Sequence, residues 1–190
     1  MERPKILSTA SPAETYAGYS YFLDGELVPM LTVDLLPDQS VFFEHHILLW
    51  KSPGINIRVR SLKGAMKRMI SGMQIFVTEA VGPGQIAFSR DGAGHVFGMH
   101  LKPGQELHVR EHQFLAATGN VDYNYERVKG FSNMLFGGTG FFIDKFHCAN
   151  SEGILWLAWW MALQGSVSKN GDERPIFIHG FSVMSRCTQF

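Results

Sequence analysis

Cysteine, charge of one sign and long apolar runs are all scarce in this 190-residue sequence. Two cysteines, Cys148 and Cys187, are too few for a disulfide framework in a chain of this length, so we expect free thiols and a reducing compartment. Lys+Arg and Asp+Glu both number 17, which argues against strong binding to nucleic-acid phosphates. The longest apolar run, residues 154–163, is too short for a membrane-spanning helix, which needs about 20 apolar residues.

The first 18 residues contain the acidic Glu2 and Glu14 and no apolar run. This composition is typical neither of a signal peptide nor of an Arg-rich transit peptide. We expect residues 1–17 to be an N-terminal extension and residues 18–190 to form a single domain. The expected location is cytoplasmic, or mitochondrial if the source is eukaryotic.

Turn signals such as Asp24-Gly25, Pro53-Gly54 and Gly82-Pro83-Gly84 recur at short intervals along the chain. The segments between them are rich in β-branched and aromatic residues. Short strands with this spacing predict an all-β sandwich or barrel. These segments are residues 41–50, 75–80, 85–89, 106–116 and 140–146.

One segment departs from the strand pattern. Apolar residues in 61–71 are spaced by three and four positions, with basic residues on the opposite side. This pattern predicts a short amphipathic helix that begins at Ser61 and stops at Gly72. The apolar positions are Leu62, Ala65, Met66, Met69 and Ile70.

The run 154–163 has no polar face if it forms a strand. Trp156 and Trp160 would lie on one side and Trp159 on the other. A strand that is apolar on both faces must be covered by its own chain or by another subunit, or its tryptophans must insert at a membrane surface. Trp156, Trp159 and Trp160 are therefore our candidates for an oligomer interface.

Histidines suggest a metal site only weakly. His45 and His46 follow Glu44, but adjacent strand residues point to opposite faces. A metal site in a β-barrel is expected to use His-x-His, which this chain does not contain. His45, His95 and His100 are kept as weak metal candidates, and scattered surface histidines are the simpler interpretation.

The sequence supports a catalytic site no better than it supports a metal site. The glycine clusters are followed by strand-like segments rather than a helix N-terminus, so they are not predicted to cradle phosphate. There is no Gly-x-Ser-x-Gly elbow, neither cysteine has a catalytic context, and the acidic residues are spread singly. We predict a protein that is not an enzyme and that uses no cofactor.

Eight stretches between residues 18 and 165 fit one family pattern by their order and spacing. They are residues 25–28, 37–41, 63–72, 75–76, 82–88, 114–117, 137–142 and 154–158. With these stretches, the glycine-punctuated middle of the chain resembles the altered inheritance of mitochondria protein 24 family.

The resemblance implies a double-stranded β-helix, or jelly-roll-like sandwich, similar to the tryptophan RNA-binding attenuator superfamily. It implies no catalytic residues. Family members usually continue with a Gly-rich hairpin and a closing strand, whereas residues 166–190 have a different pattern with one apolar stretch at 175–179. An incompletely covered sheet edge would favour pairing with another subunit.

Three hypotheses of function follow. The first is a non-enzymatic, self-associating β-sandwich scaffold or interaction module that forms a homo-oligomer and could bind a protein partner. The second is a cupin-like metal-binding enzyme that uses Glu44, His45, His95 and His100. The third is a small-ligand or RNA-binding ring, for which the basic patch would be Arg58, Arg60, Lys63, Lys67 and Arg68.

Overall fold

Short β-strands separated by turns make up nearly all of the described structure. The structure, a computed structural model of the chain, describes residues 12–25, 27–60, 77–90, 92–110, 113–127, 142–159, 173–176 and 183–186. One 3-10 turn, His45–Ile47, interrupts the strands. The strands are β1 (Glu14–Tyr16), β2 (Tyr19–Asp24), β3 (Met30–Leu35), β4 (Ser40–Glu44), β5 (Leu48–Lys51), β6 (Asn56–Val59), β7 (Val77–Val81), β8 (Gly84–Phe88), β9 (His95–Leu101), β10 (Glu106–Arg110), β11 (Phe114–Thr118), β12 (Asp122–Arg127), β13 (Phe142–His147), β14 (Gly153–Trp159), β15 (Glu173–Ile176) and β16 (Val183–Arg186).

The strands form three antiparallel sheets. The first sheet has the order β1-β2-β3-β8-β5, the central sheet β6-β7-β4-β11-β14-β9, and the third sheet β12-β13-β10-β16-β15. The predicted all-β sandwich is confirmed, while the jelly-roll connectivity stays a prediction. The helix predicted for residues 61–71 lies outside the described residues.

The central sheet is buried on both faces, because its strands alternate between two hydrophobic cores. In β4, Val41 and Phe43 pack into the core shared with the first sheet, and Phe42 packs into the core shared with the third sheet. In β14, Trp156 belongs to the first of these cores and Leu157 to the second. The described part of the apolar run 154–163 is therefore covered on both faces by its own chain.

Two predicted strands are each divided in the structure. Residues 106–116 were predicted as one strand, but β10 belongs to the third sheet and β11 to the central sheet. The chain crosses between sheets after Arg110, so no single strand face extends from His108 to Phe114. Residues 41–50 are likewise divided into β4 and β5 by the 3-10 turn.

Segments near both ends of the described chain take part in sheets. β1 lies within the predicted extension 1–17, yet it pairs with β2 across a two-residue turn. Ala17 and Gly18 in that turn both have positive φ, 50° and 79°, as a type I′ hairpin requires. Near the other end, β15 and β16 form a hairpin, and β16 adds to β10 in the third sheet.

Candidate functional site

The edge of the central sheet at β6, beside which the described residues place no further strand, is the candidate interaction site. β6 pairs with β7 in antiparallel register, and the N–H of Arg60 donates to the Val77 carbonyl at 2.9 Å in the continuation of that ladder. In an antiparallel pair, alternate residues exchange both hydrogen bonds. The even-numbered residues of β6 therefore bond β7, and Ile57 and Val59 direct their N–H and C=O groups outward.

Val59 is an exposed apolar residue on this edge. Its side chain is 71% exposed, and Leu49 on the edge strand β5 of the first sheet is 46% exposed. β5 and β6 are joined by the short segment 52–55, and each is the last described strand of its own sheet. Exposed apolar residues on an unpaired strand are a template for pairing with another chain.

A buried carboxylate organises the inner side of the same edge. Glu79 on β7 is 8% exposed. It accepts hydrogen bonds from Arg58 Nε at 2.7 Å, Ser40 Oγ at 3.0 Å and Arg60 Nη1 at 3.4 Å. Side chains from β4 and β6, together with Arg60 just after β6, thus meet at the Glu79 carboxylate of β7.

Arg60 is the more buried of the two arginines. Its guanidinium lies over the Phe42 ring, 4.1 Å from the centroid, and Nη2 donates to the carbonyls of Gly119 and Val121 at 3.0 Å each. Burial lowers the pKa of Arg60, and the Glu79 carboxylate opposes that shift. Arg60 therefore links the C-terminal end of β6 to the loop that follows β11.

These contacts bear on the predicted basic patch. Arg58 and Arg60 share the single carboxylate of Glu79, so only one of their two positive charges is balanced by it. Lys63, Lys67 and Arg68 lie outside the described residues. The sequence did not predict a role for Glu79. A single acidic residue gives no sign that it will bind two arginines about 20 positions earlier in the chain.

The weak metal candidates do not share a site in the described structure. His95 and His100 lie on β9, five positions apart, and therefore on opposite faces of the strand, about 17 Å from each other along it. Glu44 and His45 lie at the end of β4, which β11 and β14 separate from β9 by about 14 Å. No group of three or more His, Cys, Asp or Glu residues within the described ranges could hold a metal ion.

His45 and His46 lie in the 3-10 turn rather than on a strand. The prediction that His45 and His46 point to opposite faces of a strand is therefore wrong, because it assumed that both lie on a strand. The carboxylate of Glu44 lies 3.5 Å from His46 Nε2 and accepts a hydrogen bond from Arg90 Nη2 at 2.9 Å. This glutamate thus holds the turn against the end of β8.

His100 takes part in a cluster where the first and central sheets meet. Tyr21 OH donates to Glu14 Oε2 at 2.5 Å and lies 3.4 Å from His100 Nε2. The Tyr16 ring stacks on the His100 imidazole with centroids 3.7 Å apart. Burial and the hydrogen bond to Glu14 raise the pKa of Tyr21, so this phenol stays protonated at neutral pH. The cluster fastens β1 to β9.

Among the three tryptophan candidates, the structure describes the side chain of Trp156 alone. Trp156 is fully buried in the core between the first and central sheets, where its ring meets Tyr21 edge-on at 5.2 Å. Its side chain is therefore not on the surface, where a subunit contact would need it. The side chain of Trp159 and all of Trp160 lie outside the described residues.

Cys148 is expected to be unreactive in the folded protein. The thiol is fully buried, and burial raises its pKa from 9.0 to about 11. At pH 8 the folded thiolate fraction should be about 100-fold below the unfolded one, because each pKa unit changes it tenfold. Alkylation by iodoacetamide in a Cys187→Ser variant, followed by mass spectrometry, should thus be at least that much slower in buffer than in urea.

Equal alkylation rates in buffer and in urea would contradict this burial.

The raised pKa of Cys148 also affects the stability of the fold. The folded state keeps the proton at pH values where the unfolded thiol loses it, so this group lowers the stability of the fold as the pH rises from 9.0 towards about 11.

These observations define the class of the protein: an all-β sandwich of three antiparallel sheets, in which β6 is the last described strand on one side of the central sheet. The chain belongs to the mitochondrial biogenesis AIM24 family, because the sequence model of that family matches residues 21–168. The resemblance drawn from the sequence is thereby confirmed. No curated protein matches the sequence.

The crystal structure of protein SPYM3_0169 from Streptococcus pyogenes is similar to this chain, with a TM-score of 0.56 and 19% sequence identity. The similarity covers 74% of this chain and 64% of that one, so the chain spans less than two thirds of that protein. At this identity the likeness concerns the fold alone. No helix within the described ranges is long and apolar enough to cross a membrane.

Proposed function

We propose that this protein is a non-enzymatic β-sandwich scaffold that associates with further copies of itself. The observation that carries the proposal is the edge at β6, which no further strand covers within the described ranges, with outward backbone groups at Ile57 and Val59 and with Val59 71% exposed. Sheet edges of this kind pair readily with another strand. The family description names a process, mitochondrial biogenesis, rather than a reaction, which suits a scaffold.

The charged residues near the edge support the same proposal. Arg58 and Arg60 each bind Glu79, and Arg60 also donates to two backbone carbonyls. Side chains used in this way keep the edge rigid, and a rigid strand loses little conformational entropy when it pairs. We place the protein in the cytoplasm, or in mitochondria if the source is eukaryotic, with a double-stranded β-helix connectivity like that of its family.

Val59→Lys should dissociate the assembly. A lysine on an edge strand opposes strand pairing, because its charge would be removed from water in the paired state. We expect an oligomer of fixed subunit number for the wild type in native mass spectrometry and analytical ultracentrifugation at micromolar concentration. The variant should show at least about tenfold weaker association, equivalent to about 1.4 kcal/mol, with an unchanged circular dichroism spectrum.

Leu36→Lys is the matched control, because Leu36 is also exposed, at 61%, but lies in a turn rather than on an edge strand. This variant should assemble like the wild type. A wild-type protein that stays a monodisperse monomer at micromolar concentration would overturn the proposed function. A monomer that carries one tightly held metal ion or small molecule would overturn it in favour of a binding or catalytic role.

A further inference from the structure

The short strand β1 is held to the rest of the fold by the side chains of its first and last residues. Its ladder with β2 has three residue pairs, and so short a hairpin is marginally stable without further packing. The Glu14 carboxylate accepts a hydrogen bond from Tyr21 at 2.5 Å. The Tyr16 ring stacks on the His100 imidazole, and the two ring planes differ by 6°. Since His100 lies on β9, this stack joins β1 to the central sheet.

The Tyr21 hydroxyl lies between the Glu14 carboxylate and the His100 imidazole. It is 2.5 Å from Glu14 Oε2 and 3.4 Å from His100 Nε2, and its ring is buried edge-on against Trp156. Gly98 of β9 faces this hydroxyl, and a β-carbon there would lie 3.0 Å from it. That distance is shorter than an ordinary van der Waals contact, so a larger residue at position 98 would displace the hydroxyl. Packing therefore fixes the hydroxyl between the two groups.

The protonation state of His100 changes how the imidazole meets this hydroxyl. Tyr21 donates its proton to Glu14, so the phenol oxygen is left to accept. An imidazolium has an N–H at both nitrogens and always donates to that oxygen, whereas a neutral imidazole can present a lone pair there instead. A positively charged ring is also attracted by the electron-rich face of Tyr16. Protonated His100 therefore holds β1 through two contacts that the neutral ring makes less well.

The charged groups around His100 favour the same protonation state. Glu14 faces it from β1. Glu152 lies beside the Tyr16 phenol, and burial together with this carboxylate raises the pKa of Tyr16. Lys102 shares a face of β9 with His100 and opposes its protonation, but the continued register places Lys102 opposite Glu152. The residue opposite His100 on β14 is apolar. Among the described residues, two carboxylates thus outweigh one amine at this imidazole.

We infer that β1 is a pH-sensitive strap, which closes onto β9 when His100 is protonated and loosens when His100 is neutral. Closure favours the protonated ring, so it weakens as the pH rises through the range in which imidazole titrates, about 5 to 8. Glu14 and His100 are exposed, so water screens their charges and the change in closure should be about fivefold. β9 and β6 lie on opposite sides of the central sheet, so this inference does not rest on the proposed self-association.

Amide hydrogen exchange on β2 measures how often β1 detaches. Tyr16 and Tyr19 flank the two-residue turn and exchange hydrogen bonds, so the N–H groups of Tyr19 and Tyr21 bond β1. The N–H of Phe22 lies on the other side and bonds β3. We expect the NMR protection factor of the Tyr21 amide in the full chain, corrected for intrinsic exchange, to fall about fivefold between about pH 5.5 and 8. That of Phe22 should not change.

His100→Gln should abolish this pH dependence, because no titrating group remains at position 100. His95→Gln is the matched control and should respond like the wild type, since it is exposed on the same strand about 17 Å from position 100. Glu14→Gln keeps an acceptor for the Tyr21 hydroxyl but loses the charge, so its fall should be smaller. Equal Tyr21 protection at both pH values, or no protection at either, would overturn the inference. A wild-type response in His100→Gln, or a lost response in His95→Gln, would overturn it as well.

Discussion

Glu79→Gln is expected to lower the free energy of unfolding by about 3 kcal/mol. The substitution removes the carboxylate that balances Arg60, whose side chain is only 16% exposed. Arg60 cannot easily turn toward water, because two carbonyls and the Phe42 ring hold it. Breaking a buried ion pair by removing one partner leaves a buried charge without its counterion, which costs more than the pair contributed. Urea denaturation at fixed protein concentration measures the loss.

Asp38→Asn serves as the control for Glu79→Gln. It also changes a carboxylate to an amide, but at an exposed turn position with φ of 66°, a conformation that asparagine tolerates. We expect a change within about 0.5 kcal/mol there. Adding Arg60→Met to Glu79→Gln should cost less than the two single losses combined, because the residues share one interaction. Equal stabilities of the Glu79→Gln and Asp38→Asn variants would contradict the assigned role of Glu79.

The alternation of apolar residues sufficed to predict the strands but not the sheets that contain them. Residues 106–116 alternate as one strand would, yet the chain leaves the third sheet after Arg110 and enters the central sheet at Phe114. Both strands bury apolar side chains, so the local pattern is the same on either side of the crossing. The choice of sheet depends on pairing with β13 and β14, which are far away in sequence.

The candidate site was harder to predict for a related reason. The apolar run 154–163 was predicted as a candidate interface, because no polar face is visible in its sequence. Its described side chains, at residues 154–158, lie on an interior strand of the central sheet with a core on each side. β6 is the opposite case: its four residues include two polar ones, and only the pairing with β7 reveals that it ends a sheet. Edge position is a property of the assembled sheet, so a local pattern does not encode it.

Trp156→Ala is expected to lower the free energy of unfolding by about 4 kcal/mol, through lost apolar contacts and the cavity that remains. Trp156 is fully buried between the first and central sheets, and its ring packs edge-on against Tyr21. Its Nε1 has no hydrogen-bond partner in the described structure, so hydrophobic packing stabilises this residue. Trp156→Phe should therefore lose only about 1.5 kcal/mol, because it keeps a ring and removes the unpaired N–H.

Trp50→Ala provides a matched control on the edge strand β5, where the tryptophan is only partly buried. A loss of about 1.5 kcal/mol is expected there, in proportion to the smaller apolar area removed from water. If Trp156→Ala does not fold, Trp156→Leu keeps the comparison measurable. The two positions also separate a core role from an interface role. A Trp156 variant with wild-type stability but a changed subunit number would place this side chain at a subunit contact, whereas reduced stability with an unchanged subunit number would place it in the core.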